Sequence, residues 1–158
     1  MMCKGKTAIV TGAAGSGMGR SIALTLAREG ANVVVNYLTS VKSAEVIVRH
    51  IESRGSHAFA FQADVMQQDG CKSLVAAAIK EFGQVDIYII GPGGGWHAEP
   101  IDKLNSSNTL DDANRELAPI YHLMPLVLPG MYERKWGRLI GISLNPKKGV
   151  DLPKYKKM

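Results

Sequence analysis

Short apolar runs rich in β-branched residues alternate five times along this chain with segments whose apolar residues recur at helical spacing. Residues 6–11 (KTAIVT), 31–36 (ANVVVN), 58–62 (AFAFQ), 85–90 (VDIYII) and 138–143 (RLIGIS) read as strands. Between them, residues 18–29 place Ile22, Ala23, Leu26 and Ala27 on one helical face, and residues 43–53 do the same with Ala44, Ile47, Val48 and Ile51. Residues 71–82 turn Leu74, Val75, Ala78, Ile79 and Phe82 inward, and Gly30, Gly55 and Gly83 stop the three helices. A polar loop carrying SSNTLDD is expected before a fourth helix that starts at Asp111 or Asp112 and runs to about Glu133. Crossovers between parallel strands are nearly always right-handed, so the economical arrangement is an α/β fold: a doubly wound parallel sheet of order 3-2-1-4-5.

Strand order reverses between strands 1 and 4 in such a sheet, which opens a crevice at their carboxyl ends. Two glycine-rich turns fall there: Thr11 to Arg20 (TGAAGSGMGR) and Gly91-Pro92-Gly93-Gly94-Gly95. In the first turn, small residues let a backbone approach a pyrophosphate, and the free N–H groups and positive end of the following helix favour its charge. Both turns belong to a chain of 158 residues, which is one domain's worth and leaves no room for a separate substrate domain.

The net charge of +5 invites a nucleic-acid reading until it is located. Lys147, Lys148, Lys154, Lys156 and Lys157 against Asp151 hold +4 of it in residues 146–158, with no stacking platform or groove-reading motif, so nucleic acid is not an expected partner. The division expected is a dinucleotide-binding domain over residues 1–144 and a basic tail over 145–158. Cys3 and Cys71 form neither a disulfide framework nor a metal site, which fits a reducing cytoplasm, and no metal is expected. No apolar run reaches membrane-spanning length, and the opening MMCKGKTAIVTG does not read as a signal peptide.

On the turn Thr11 to Gly19 the chain resembles the short-chain dehydrogenase/reductase family, a Rossmann-fold family whose usual opening is TGxxxGxG; here it is TGxxxxGxG, one residue longer. The resemblance extends over residues 4–144. It implies a nicotinamide dinucleotide bound by Gly12, Ser16, Gly17, Met18 and Gly19. Asp64 and Val65 would hold the adenine, and Gly91 and Gly93 would let the backbone come close after strand 4. At that last place the family's usual NNAG is Ile90-Gly91-Pro92-Gly93, so both asparagine side chains are missing and the strand must be supported otherwise. An acid at the end of strand 2 would select NAD(H) by accepting from the ribose 2′-hydroxyl. Asn36 and Tyr37 stand there, with Ser40 and Lys42 nearby, which favours NADP(H) over NAD(H).

Family members transfer hydride to or from a small carbonyl or alcohol, using a tyrosine whose pKa, near 10 when free, is lowered by a lysine. The counterparts here depart from that pattern. Glu116 stands where the family has an asparagine and Leu144 where it has a serine; Ser143 is one residue early, which on a strand reverses the face. Tyr155 is 12 residues beyond Ser143, but its lysine would fall at 159. Ser143 and Tyr155 are therefore the candidate catalytic residues of an incomplete set, as in a chain truncated before the family's active-site helix and last strands. Strand 5 would then carry an unpaired edge, to be covered by the tail or by a second copy in a homo-oligomer. The alternative function is a dinucleotide-binding or interaction module without catalysis.

Overall fold

A computed structural model describes residues 1–91, 101–103 and 105–142. The order of elements is β1 (Thr7–Val10), α1 (Met18–Arg28), β2 (Asn32–Tyr37), α2 (Val41–Glu52), β3 (Ala58–Gln62), α3 (Gln68–Phe82) and β4 (Ile87–Ile90). A 3-10 turn (Ile101–Lys103), α4 (Ser106–Glu133) and β5 (Arg138–Gly141) complete it. The five strands form one sheet of order β3-β2-β1-β4-β5 with every pairing parallel, the topology expected from the alternation.

Each central strand is buried on both faces, which is why its sequence is a continuous apolar run and not an alternating one. Ala8, Val10, Val33, Val35, Ile87 and Ile89 pack towards α1 and α2. Ile9, Val34, Tyr88 and Ile90 pack towards α3 and α4. Every fully buried Ile or Val here contributes on the order of 2 kcal/mol. The outer strand differs: the residues of β5 are exposed or half-buried, and Ile140 is 46% exposed.

Three helices begin earlier than the sequence suggests. α2 starts at Val41 and α3 at Gln68. The largest correction is α4, because SSNTLDD is not a loop but its first two turns. The Asn105 Oδ1 accepts from the Ser107 amide at 3.0 Å, and that cap starts the helix before its apolar stripe begins. A second correction concerns Ile79, expected inward and in fact 46% exposed; the stripe of α3 runs through Cys71, Leu74, Val75 and Ala78 and leaves position 79 on its flank. Pro119, Pro125 and Pro129 all lie inside α4. The Pro119 carbonyl accepts the hydroxyl of the fully buried Tyr88 at 3.0 Å, joining the helix to β4.

The amino-terminal edges of β1 and β4 are joined by Asp86, which has no solvent exposure. One carboxylate oxygen accepts from the Thr7 amide at 3.0 Å and from Gln84 Nε2 at 2.8 Å. The other faces Arg134 Nε at 3.4 Å and Lys6 Nζ at 4.0 Å. Arg134 also donates to the Val85 carbonyl at 2.7 Å, so the end of α4 is tied to the same place.

Burial, and next the Asp64 carboxylate, pushes the Cys71 thiol up to about 11. Its Sγ donates to the Val65 carbonyl at 3.2 Å. Burial also raises Tyr88, with Cys71 the second cause.

Two outcomes are expected. Replacing Asp86 by Ala leaves the Thr7 amide and the Arg134 charge without their partner, so urea unfolding should report a loss of about 3 kcal/mol; a change under about 0.5 kcal/mol would show the network to be idle. The Cys71 proton is held more tightly in the folded than in the unfolded chain, so its contribution is complete below pH 9.0 and is lost as pH rises towards about 11. Iodoacetamide near pH 8 should accordingly label Cys3 in the native protein and Cys71 only after unfolding, as read by peptide mass spectrometry.

Candidate functional site

The turn Thr11–Gly17 leaves the end of β1 and rises to α1. Gly12 adopts φ +61°, the left-handed region that glycine enters without penalty. Ala13 and Ala14 are buried beneath the turn, whereas residues 15–18 are exposed above it. The helix is packed hard against this turn: a Cβ on Gly19 would lie 2.9 Å from the Gly12 carbonyl oxygen and 3.2 Å from the Ala13 Cα. Only glycine at 19 allows that approach.

Gly17 caps α1 without a side-chain hydrogen bond, and no acid lies in the helix's first turn. The orphan amides and positive helix end therefore face outward, unclaimed by a protein side chain, at the carboxyl edge of the sheet. Arg20, exposed in that first turn, adds a cation that the reading of the motif did not single out. The donor set and the close backbone suit a diphosphate, and a dinucleotide is the group these residues fit.

Asn36 is placed differently from the expectation that it would face a ribose. Its side chain is buried, 2% of the residue being exposed. The Oδ1 accepts from the Gly12 amide at 3.4 Å, and Nδ2 donates to the Phe61 and Ala63 carbonyls at 3.3 and 3.1 Å. Asn36 thus ties the glycine turn to β2 and β3 from below. The outward positions after β2 are the half-buried Tyr37 and, beyond it, the exposed Ser40 and Lys42. Ser40 caps α2 without a side-chain bond, and the first turn of α2 also has no acid.

Asp64 and Val65 follow β3 and are both half-buried. Asp64 Oδ1 accepts from the Met66 amide at 2.9 Å, and its carbonyl accepts from Gln67 at 3.1 Å, which shapes the turn into α3. Gly70 lets α3 lie directly on the Asp64 carbonyl, where a Cβ would collide.

At the switch point Thr11 bridges the ends of β1 and β4. Its hydroxyl donates to the Ile89 carbonyl at 3.1 Å and accepts from the Gly91 amide at 2.7 Å. A Cβ on Gly91 would stand 2.5 Å from the Thr11 carbonyl oxygen, so glycine is required where β1 and β4 come this close. Sequence reasoning placed Thr11 in the motif but gave it no task, because its partner is 80 residues away. The structure gathers Gly12, Ser16, Gly17, Met18, Gly19, Tyr37, Ser40, Asp64, Val65 and Gly91 along the carboxyl edge of the sheet. Gly93, Ser143 and Tyr155 lie outside the described residues. Among the described residues no group of His, Cys, Asp or Glu is arranged to hold a metal, and no helix is long and apolar enough to cross a membrane.

Comparison with known proteins gives the same picture. The sequence profile of short chain dehydrogenases matches residues 6–149. A 3-oxoacyl-(acyl-carrier-protein) reductase FabG of Staphylococcus epidermidis is 34% identical over 138 residues, covering 87% of this chain and 56% of its own. A short chain dehydrogenase of Claviceps purpurea is 37% identical, covering 96% of this chain and 56% of its own. A solved 7α-hydroxysteroid dehydrogenase, in complex with NADH and 7-oxo glycochenodeoxycholic acid, superposes with a TM-score of 0.79 at 31% identity, covering 89% of this chain and 54% of that one. A hydroxysteroid dehydrogenase from Escherichia coli gives 0.77 at 31% identity, with 89% and 56% covered. The chain spans about half the length of the curated relatives it matches. With the sheet order, the glycine turn and the matched profile in agreement, the chain belongs to the short chain dehydrogenase family.

Proposed function

We propose that this chain binds NADP(H), with the diphosphate over the amides of residues 12–19, and serves hydride transfer between the nicotinamide and a small carbonyl or alcohol. The observation that carries the reading is the uncapped, acid-free first turn of α1 held against Gly12 by Gly19. Relatives named for a 3-oxoacyl group and for a 7-oxo steroid with NADH support a carbonyl as the class of substrate.

The preference for NADP(H) rests on the end of β2. Asn36 is occupied inside the protein, so the ribose end of a dinucleotide would meet Tyr37, Ser40 and Lys42, none of them an acid. A lysine and an uncapped helix start would oppose a 2′-phosphate's charge, where a carboxylate would repel it. Asp64 and Val65 would flank the adenine, and Gly91 and Gly93 would let the nicotinamide half enter the crevice.

In the bound complex the dinucleotide supplies hydride chemistry. The chain's own part is to fix the diphosphate and to hold the ends of β1 and β4 together at the crevice through the Thr11 to Gly91 link. Tyr155 would exchange the proton with the substrate oxygen, and Ser143 would orient that oxygen. A second reading, dinucleotide binding without turnover, is favoured by Leu144 at the family's serine position and Glu116 at its asparagine position.

Fluorescence titration should give a Kd for NADPH at least about tenfold below that for NADH. Gly19→Ala should weaken NADPH by about tenfold or more while far-UV circular dichroism is kept, since the added methyl group pushes α1 off the turn. Equal affinity for the two dinucleotides would remove the NADP assignment, and no binding of either would remove the cofactor. Oxidation of NADPH by a panel of ketones, lost in Tyr155→Phe, would support catalysis; binding without oxidation would support the second reading.

A further inference from the structure

A second cavity lies at the opposite edge of the sheet, where α1 and α2 end. Its volume is about 410 Å³, within the range of sites for small molecules. Leu24, Ala27 and Ile51 give it apolar lining. Around it stand five basic side chains, Lys4, Arg28, His50, Arg54 and His57. All five residues are exposed, and among the described residues no acidic side chain lines the cavity.

Basic residues at helix carboxyl ends often have a simpler task, which is to neutralise the last carbonyls. That task is already done here by other groups. At the end of α1 the Ala27 carbonyl accepts from the Gly30 amide at 2.8 Å and the Ser56 hydroxyl at 2.7 Å, and the Leu26 carbonyl accepts from Ala31 at 3.0 Å. At the end of α2 the Arg49, Ile51 and Glu52 carbonyls accept from the amides of Ser53, Arg54 and Gly55, and the His50 carbonyl accepts the Ser53 hydroxyl.

The cations are also poorly matched by acids. Arg28 approaches Glu29 at 3.9 Å, but the second oxygen of Glu29 accepts from the Met2 amide at 3.2 Å. Lys4 and Arg54 have no ion pair among the described residues. Three fixed positive charges and two imidazoles therefore surround an apolar recess, and among the described residues Glu29, beside Arg28, is the one acid ion-paired with any of them.

We propose that this cavity is a second ligand site, for a small organic phosphate whose apolar body enters against Leu24, Ala27 and Ile51 while its phosphate meets Lys4, Arg28 and Arg54. The site is separate from the dinucleotide crevice, because α1 and α2 run the full depth of the sheet between the two. Recognition here is by side-chain charge, in contrast to the backbone amides at the other end. Guanidinium groups suit the forked contacts that phosphate oxygens offer.

The test titrates 1-naphthyl phosphate into the full chain and follows backbone amides by NMR, with and without saturating NADPH. Saturation below about 1 mM is expected, with shifts at Gly30, Gly55, Ser56 and His57 that NADPH does not reverse. Charge reversal by Lys4→Glu with Arg54→Glu should weaken binding by about a hundredfold, roughly tenfold for each charge, while Arg54→Lys, which keeps the charge and loses the fork, should weaken it by about threefold to fivefold. All three substitutions are at exposed positions, and an unchanged melting temperature verifies the fold. Equal affinity for 1-naphthol would reduce the site to an apolar recess and overturn the proposal. So would shifts confined to residues 12–19, competition with NADPH, indifference to charge reversal, or no saturation. The mapping works whether or not NADPH binds, so failure of this site and failure of the cofactor reading give separate results.

Discussion

One hydroxyl holds the switch point together. Thr11 Oγ1 donates to β4 through Ile89 and accepts from Gly91, and β1 and β4 are the two strands from which the chain departs to opposite faces of the sheet. The crevice exists because these departures diverge, and it is narrow because position 91 carries no side chain. An asparagine after β4 would supply its own polar side chain at the cost of room. Here the polar group that spans the pair stands at the end of β1, and β4 is followed by a glycine.

The other end of the same two strands is pinned by charge. Asp86 joins β4 to the Thr7 amide of β1 and draws in Arg134 from the end of α4. A buried carboxylate is a poor source of net stability, since desolvation offsets much of its attraction, but it fixes which strand lies beside which. The core alone does not fix that so tightly. Val33, Val34, Val35, Ile87 and Ile89 are close enough in size and shape to slide past one another, and a slip of one residue would exchange the two faces. A polar tie at each end of the β1 and β4 pair removes that freedom, and it keeps the glycine turn in register with the crevice.

Most of the fold was legible because its signals are local. Continuous apolar runs such as VVV and IYII identify strands covered on both sides, and Gly30, Gly55 and Gly83 mark helix ends with positive φ at all three. What was missed is non-local or hidden by composition. The first turns of α4 are polar and carry no apolar stripe, so periodicity could not find them; the signal was Asn105, an ordinary cap residue among several similar ones. The position of Asn36 at the end of β2 is legible in the sequence, but whether an asparagine faces a ligand or its own backbone depends on which carbonyls lie beneath it. Those belong to residues 61 and 63 on the next strand.

That placement of Asn36 bears on how the glycine turn keeps its shape. A loop of small residues has many conformations, and the entropy of fixing it must be met by contacts that do not cover the amides intended for a ligand. Asn36 meets this from below, taking the Gly12 amide with its side chain and the Ala13 amide with its carbonyl. Gly19 meets it from the side, by letting α1 press on Gly12. The amides that these contacts consume lie at the start of the turn. Those of residues 15–18 stay on the exposed side, which is the division of labour a preorganised anion cradle requires. Tyr37, next in the chain and half-buried, is thereby turned to the opposite face of β2, where it packs with the α1 and α2 side of the core and meets solvent at the sheet's edge. The buried asparagine and the outward tyrosine are two consequences of the same strand pleat, so the residue that steadies the turn also decides which neighbour is left at the surface.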